Sequence, residues 1–504
     1  MEEPNKIQCE DPGILPVKGK DTKYKIIVII LAVAILAGIT MLPLPSPIEI
    51  SGEEIPLTWG GKAVMAMLVF AIILWVTEVI PFSVTALLVM ILIPAFGLET
   101  FEETIRLGFG NPIIAFFIGV LMLSSAFTRS GLGKRLSLFI LRVMGTKTSM
   151  VILGFLIFGA LLSMWITDMA VAAILMPLGV SILRECNLKP LQSNFGRALM
   201  ISCAWGPLFG GIATPAGCGP NILTISFLKE LANIDINFLD WMILGFPAAM
   251  LMIPMGWLIL LKFFPPEIKN VPFKREDILK DIKELGSFTA KEKWTTAIFL
   301  TTITLWVGTP LIKSLSGGAI DLPMQAVALA GGLLLFLPGI EIINWTQARK
   351  DIDWGGIVLI CAGISLGMVV YGTGAARWLA WVFLSPVVEL PTFIMVILIV
   401  LIVAGLHLAF SSNTVTGTII IPLLIALALD LGINPWLITA PAAFTASLAF
   451  ILVTETPTNV IPYSSGYFSI KDMAKAGIVM TFAASLAVAV SIMLFGNLSG
   501  LYGF

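Results

Sequence analysis

Ser163-Met164-Trp165-Ile166-Thr167-Asp168-Met169 and Leu408-Ala409-Phe410-Ser411-Ser412-Asn413-Thr414 are two short polar interruptions in long apolar runs. Ser412 stands 245 residues after Thr167, and a proline follows each at the same distance: Pro177 ten residues after Thr167, Pro422 ten after Ser412. Two copies of one device are therefore built into the chain, each an apolar arm, a small polar tip and a second apolar arm, over about 149–183 and about 391–429. An arm of about 17 residues rises only about 25 Å, against a hydrocarbon core of about 30 Å. It cannot cross without stranding its polar tip in lipid, so each device is predicted to be a re-entrant hairpin. Non-helical backbone survives at membrane depth only where it is buried in protein or faces water, which turns both tips toward a shared site.

Working outward, the 504 residues are 58% hydrophobic and 12% charged, more apolar than any soluble chain of this length needs. The fold class expected is an all-α polytopic membrane protein. Cys9, Cys186, Cys203, Cys218 and Cys361 show no CxxC or paired spacing, which argues against a disulfide framework or a zinc site. The single histidine, His407, and the lack of a nucleophile–base pair at one depth leave no catalytic set, so no enzyme is expected. A net charge of −1 carries no information about partners, and no nucleic-acid partner is expected. The polar N-terminus has no short apolar stretch with a cleavage site, and no cleaved signal peptide is expected.

Basic residues set the orientation. Residues 1–23 read as a cytoplasmic tail carrying Lys18, Lys20 and Lys23, and 24–43 as a lead span. A loop with Glu49, Glu53 and Glu54 then lies outside. Arg142, Lys147, Arg184 and Lys189 bracket the first hairpin, whose ends are cytoplasmic; Glu389 and Asp430 bracket the second, whose ends are outside. Opposite insertion of two copies is an inverted repeat, here 62–264 and 294–504, joined by a basic cytoplasmic linker at 265–293. About 11 transmembrane helices plus two re-entrant hairpins are counted, with the C-terminus outside. After each hairpin one span is interrupted, at Ala213-Thr214-Pro215-Ala216-Gly217-Cys218-Gly219-Pro220-Asn221 and at Thr454-Glu455-Thr456-Pro457-Thr458-Asn459. Proline and glycine there break the helix and free carbonyls for a cation.

The paired tips, the Thr214-Pro215 and Thr456-Pro457-Thr458-Asn459 breaks and Trp75-Val76-Thr77-Glu78-Val79-Ile80-Pro81 together resemble the divalent anion/sodium symporter family, over nearly the whole chain from residue 24. The resemblance implies a homodimeric, multi-pass carrier in the plasma (inner) membrane, working as an elevator. It implies a small anionic substrate, a C4-type dicarboxylate first, with sulfate, an organosulfonate or citrate as alternatives and sodium-independent anion exchange as a variant. The co-transported ion implied is Na+, with a proton at Asp168 as the alternative. By position, Ser163, Thr167, Asp168 and the Ala213 carbonyl would hold one sodium, and Ser411, Asn413 and the Glu455 carbonyl the other. Substrate would touch Thr167, Asp168, Thr214, Pro220, Ser412, Asn413, Thr414, Thr456 and Pro457. Two departures stand out: the first tip reads Thr167-Asp168-Met169 where the family has Ser-Asn-Thr, and Leu408 stands in line with Ser163.

Asp168 is the sharpest residue, because an unpaired acid at the membrane midplane is costly. It reads as a cation or proton ligand, with a structural helix cap as the alternative. Ser412-Asn413-Thr414 reads as an N-cap cluster whose helix end faces an anion without help from Lys or Arg, none of which lies near either tip in the sequence. His407 reads as a packed or pore-facing residue, Glu78 as an anchor for helix ends, and Cys218 as a small residue in a tight break.

Overall fold

The computed structural model describes residues 22–50, 53–272, 280, 283–388, 390–410 and 412–498. Ser411, nearly all of the 1–23 tail, Glu389 and part of the 265–293 linker lie outside the described residues. The chain is helical apart from a short antiparallel pair, Ile48–Ile50 with Glu53–Ile55, where an acidic loop is expected; alternating isoleucines there suit a strand.

Among the described residues, seven helices are long and apolar enough to cross a membrane: Thr22–Met41, Trp59–Thr77, Phe238–Phe263, Ala290–Leu315, Trp354–Gly372, Asn413–Asp430 and Ile470–Phe495. Taken together, the pair Phe101–Phe109 and Ile113–Arg129, bent by 43°, is long and apolar enough for an eighth. Pro112 lacks the amide that would continue the ladder, and Asn111 Oδ1 accepts from Ile113 N instead at 3.0 Å. The remaining expected crossings fall on shorter or interrupted helices, including Phe82–Ala95 and Met324–Leu334. The amphipathic helix Phe101–Phe109, capped by Thr100, was not among the expected elements.

Both hairpins are helix–break–helix units of matching length. Thr148–Ser163 and Thr392–His407 have 16 residues each; Asp168–Glu185 and Asn413–Asp430 have 18 each. The breaks differ, Met164–Thr167 against the longer Leu408–Ser412. The extra residue corrects the alignment drawn from sequence: the last helical residue before the second tip is His407, so His407, not Leu408, stands at the place of Ser163. Capping bonds agree, since Met164 N donates to Ala160 O and Leu408 N to Ala404 O.

The interrupted spans also repeat. Asn194–Gly211 is followed by a break and Gly219–Ala232; Pro435–Ala446 by a longer break and Pro457–Tyr463. Asn221 Nδ2 donates to the carbonyls of Gly211 (2.8 Å) and Thr214 (2.8 Å). Asn459 Nδ2 donates to those of Ala449 (2.8 Å) and Leu452 (3.1 Å), ten and seven residues upstream in both copies. Each asparagine satisfies two carbonyls that the broken helix has released.

Behind each break runs the helix that closes its half. Both closing helices start with a capping box, Asn237–Asp240 and Ser469–Asp472. Each also carries a glycine against the broken backbone. A Cβ on Gly245 would stand 2.4 Å from Ile212 O, and one on Gly477 2.1 Å from Phe450 O, so only glycine admits the carbonyl there. Ser491 Oγ donates to Leu244 O at 2.7 Å and ties the two closing helices together.

Candidate functional site: a cavity between two hairpin tips

The two tips meet. A cavity of about 700 Å³ is lined by Thr167, Asp168 and Met169 of the first tip, Ser412, Asn413 and Thr414 of the second, and by both span breaks at Gly217–Gly219 and Thr456–Thr458. Two polar loops, with the freed ends of two broken helices, thus share one pocket.

The helix end at the second tip is left without a side-chain cap, while at the first Asp168 takes the Met169 amide. Neither Thr167 nor Ser412 makes a side-chain cap hydrogen bond, so the N-cap role read from Ser412-Asn413-Thr414 is corrected: those hydroxyls do not serve the helix. First-turn amides without a cap, at the positive end of a helix, can receive an anion. Asp168 Oδ1 accepts from Met169 N at 2.8 Å, so it caps its own helix, and the residue also lines the pocket that Thr458 of the second break shares.

Other expected residues stand behind the lining. Thr214 is fully buried, its hydroxyl donating to Met164 O, so it fastens the break to the first hairpin instead of facing the pocket. Pro220 packs on the second hairpin, 3.3 Å from where a Cβ of Gly417 would stand. The place of Thr456 in the first copy belongs to Cys218: both are extended residues opening the short helix after the break. Cys218 Sγ touches Ser447 Oγ at 2.5 Å, which uses both its small size and its sulfur.

The two places where a cation is expected differ. At the first, Ser163 Oγ is buried without a hydrogen-bond partner. The Cβ position of Gly211 is 3.8 Å from that oxygen and 3.9 Å from Asp168 Cβ, so the Ser163 hydroxyl, the Asp168 side chain and the end of the broken helix lie close together. This oxygen set suits a hard cation such as sodium. The Ala213 carbonyl lies 3.2 Å from the Cβ position of Gly245, on the closing-helix side. At the second place, the Glu455 carboxylate is buried and accepts from Leu452 N (2.9 Å) and Ile451 N (3.3 Å), holding the wider break in shape.

Three charged residues in the cavity lining, Arg129, Asp351 and Asp353, escaped the sequence reading. Arg129 lines it, contrary to the expectation of no nearby cation, but its charge is spent on Asp351 through bonds of 2.5 and 2.8 Å. Ser125 Oγ also donates to Asp351. The Arg129 guanidinium holds the Asp351 carboxyl below its ordinary range. The partners are 222 residues apart in the chain, and no local pattern announces them. Just beyond Arg129, Arg135 pairs with the buried Glu292 (2.8 Å) and donates to the carbonyls of 285–287. The Arg129 end of the cavity thus lies on the side of the charged linker.

Paired hairpins, paired broken helices and an uncommitted polar pocket between them define a membrane carrier of small solutes. The comparisons with known proteins give the family. The sodium:sulfate symporter transmembrane region matches residues 23–501, and the chain belongs to that family. It is 30% identical over 432 residues to the sodium-dependent dicarboxylate transporter SdcS of Staphylococcus saprophyticus, covering 83% of this chain and 82% of the relative. The SdcS protein of Staphylococcus aureus strain USA300 is 30% identical over 447 residues, 86% and 85% of the two chains. Among solved structures, the YdaH transporter of Alcanivorax borkumensis superimposes with a TM-score of 0.53 at 14% identity, over 95% of this chain and 98% of that one. MtrF of Neisseria gonorrhoeae gives 0.53 at 16% identity, over 93% and 94%. These two likenesses speak for the fold alone.

Proposed function

We propose that the protein is a secondary active carrier that takes up a small divalent organic anion of the C4-dicarboxylate type, driven by sodium. The observation that carries this reading is the cavity in which both tips present polar helix ends, the second without a side-chain cap, while the one arginine in the lining is neutralised by Asp351. Neutral donors and helix dipoles hold a dianion without an ion pair that would have to be broken at release. The two SdcS relatives, named as sodium-dependent dicarboxylate transporters, support the substrate class and the ion. Sodium is the hard cation that the Ser163–Asp168 cluster suits; its role is to offset the Asp168 charge beside an anionic substrate.

Substrate-facing roles go to Thr167, Asp168, Ser412, Asn413, Thr414, Thr456 and Pro457, which share the lining; Cys218 and Thr458 join them. Thr214 and Pro220 act from behind, holding the break and the second hairpin in place. The Arg129 end of the cavity lies beside the basic linker, which the positive-inside rule assigns to the cytoplasm, and this reading puts the N-terminus inside and the C-terminus outside. Alternation by an elevator movement of the hairpins and broken helices, in a homodimer in the plasma membrane, follows the family resemblance. Purified protein in liposomes, given labelled succinate, malate, citrate or sulfate with and without an inward sodium gradient, tests the reading. Succinate accumulation above equilibrium with sodium is expected; its absence for every anion would overturn the function, and preference for sulfate or citrate would replace the substrate.

A further inference from the structure

The two halves of the chain bring different chemistry to the cavity. Ser412, Asn413 and Thr414 of the second tip, with Thr456 and Thr458 of the second break, carry hydroxyls and an amide, all able to donate to a carboxylate. The first tip and break contribute Thr167, Asp168, Met169 and Cys218 with two glycines, and there Thr167 alone carries a hydroxyl. Met169, 39% exposed, offers a thioether, and the Cys218 thiol is engaged with Ser447 Oγ. The two sets face one space, since a Cβ on Gly219 of the first break would stand 2.7 Å from Thr414 Oγ1 of the second tip.

Asp168 and Asn413 each open the helix after their tip, so an acid stands in the first copy where an amide stands in the second. An amide can donate or accept; an ionised carboxylate only accepts, at about four positions over its two oxygens. Asp168 is half-buried in the lining, and Met169 N takes one of those positions at 2.8 Å. A sodium ion beside Ser163 would take another and offset the charge. The positions left over still have nothing to give an anion. A substrate carboxylate set against them is repelled, whereas a hydroxyl or ammonium set there donates a charge-assisted hydrogen bond.

We propose that the preferred substrate is a four-carbon dicarboxylate bearing a hydrogen-bond donor, a hydroxyl or an ammonium, on the carbon beside one carboxylate. Asp168 receives that donor, while the hydroxyls and amide of the second tip and break take carboxylate. The proposal rests on the dicarboxylate reading above and narrows it: a plain four-carbon dicarboxylate has two like ends and no donor for Asp168.

The test uses the full chain in liposomes with an inward sodium gradient and in nanodiscs at fixed sodium. Labelled malate, aspartate and succinate are each followed over a range of concentrations, and the same three compounds are titrated against the thermal midpoint. Malate or aspartate is expected to have a KM about tenfold or more below that of succinate, the worth of one hydrogen bond to a charged group. Malate ahead makes the donor a hydroxyl and aspartate ahead an ammonium, and either result supports the proposal. Asp168→Asn, whose amide can donate to a carboxylate, is expected to narrow the gap by improving succinate relative to the other two. A wild type that takes succinate with a KM equal to or below both others overturns the proposal, whether or not the variant folds, and leaves the carrier reading standing. So does an undiminished gap in an Asp168→Asn protein that still transports. If the wild type takes up none of the three, the dicarboxylate carrier reading fails, and equal midpoint shifts with all three would overturn the proposal separately.

Discussion

Replacing Asn459 by Leu would remove one side-chain amide of nearly the same size, leave the Ala449 carbonyl, now held at 2.8 Å, without that donor, and leave the Leu452 carbonyl, held at 3.1 Å, with only the Glu455 amide at 3.4 Å. Ala449 is fully buried and Leu452 half-buried. One orphaned buried carbonyl costs about 1–3 kcal/mol, so the variant should lose roughly that much, partly offset by the added apolar contact of leucine. The loss falls on the break that lines the cavity through Thr456–Thr458, so binding should weaken along with stability. Asn221→Leu makes the same change in the other copy and should cost a similar amount. Asn459→Asp should be worse, since it replaces two donors by acceptors facing two carbonyls. Thermal midpoints of the three proteins in nanodiscs, together with succinate uptake at several concentrations, measure the effect. An Asn459→Leu protein with wild-type midpoint and uptake would refute the claim that these asparagines hold the breaks open.

Gly477→Ala should shift or destabilise the second closing helix, because the new methyl meets Phe450 O at 2.1 Å; about 1–3 kcal/mol is expected for such overpacking, read as a lower thermal midpoint. Met169→Thr gives the first tip the hydroxyl that Thr414 supplies to the second; one added hydrogen bond of about 0.5–1.5 kcal/mol should lower the KM for succinate by up to roughly tenfold. Asp351 has its pKa lowered in the fold by Arg129, so the stability it contributes is present above the unfolded value and lost as pH falls through the folded one. Midpoints measured from neutral pH to below about 4 should therefore fall less steeply in Arg129→Gln than in the wild type, and parallel curves would show that the pair contributes nothing.

Much of the architecture is legible because it is written in local patterns. An apolar arm too short to cross, a tip of Thr, Ser, Asn and Asp, and a proline ten residues on each depend on neighbours in the chain, so two helical hairpins could be placed to within about two residues of Thr148–Glu185 and Thr392–Asp430. The Thr167–Met169 and Ser412–Thr414 lining follows from the same patterns, because a polar tip has only one tolerable place in a bilayer. Span counting fared worse: helices broken by Gly, Pro and Asn divide a crossing into pieces whose lengths the apolar runs do not reveal.

The contacts between distant segments had no such signature. Arg129 meets Asp351 across 222 residues, Thr214 turns back to Met164, and Cys218 takes the place that Thr456 has in the other copy. One extra residue in the second break moves His407 into the position of Ser163, a change that plain counting assigns to Leu408. Sequence alone determined that this chain lies in a membrane and folds as a doubled device with polar tips, since hydropathy and helix breaking act over a few residues. Tertiary structure decided which side chains face the pocket, because facing depends on helix phase and on how two halves pack, and a single inserted residue is enough to turn one side chain in and its neighbour out.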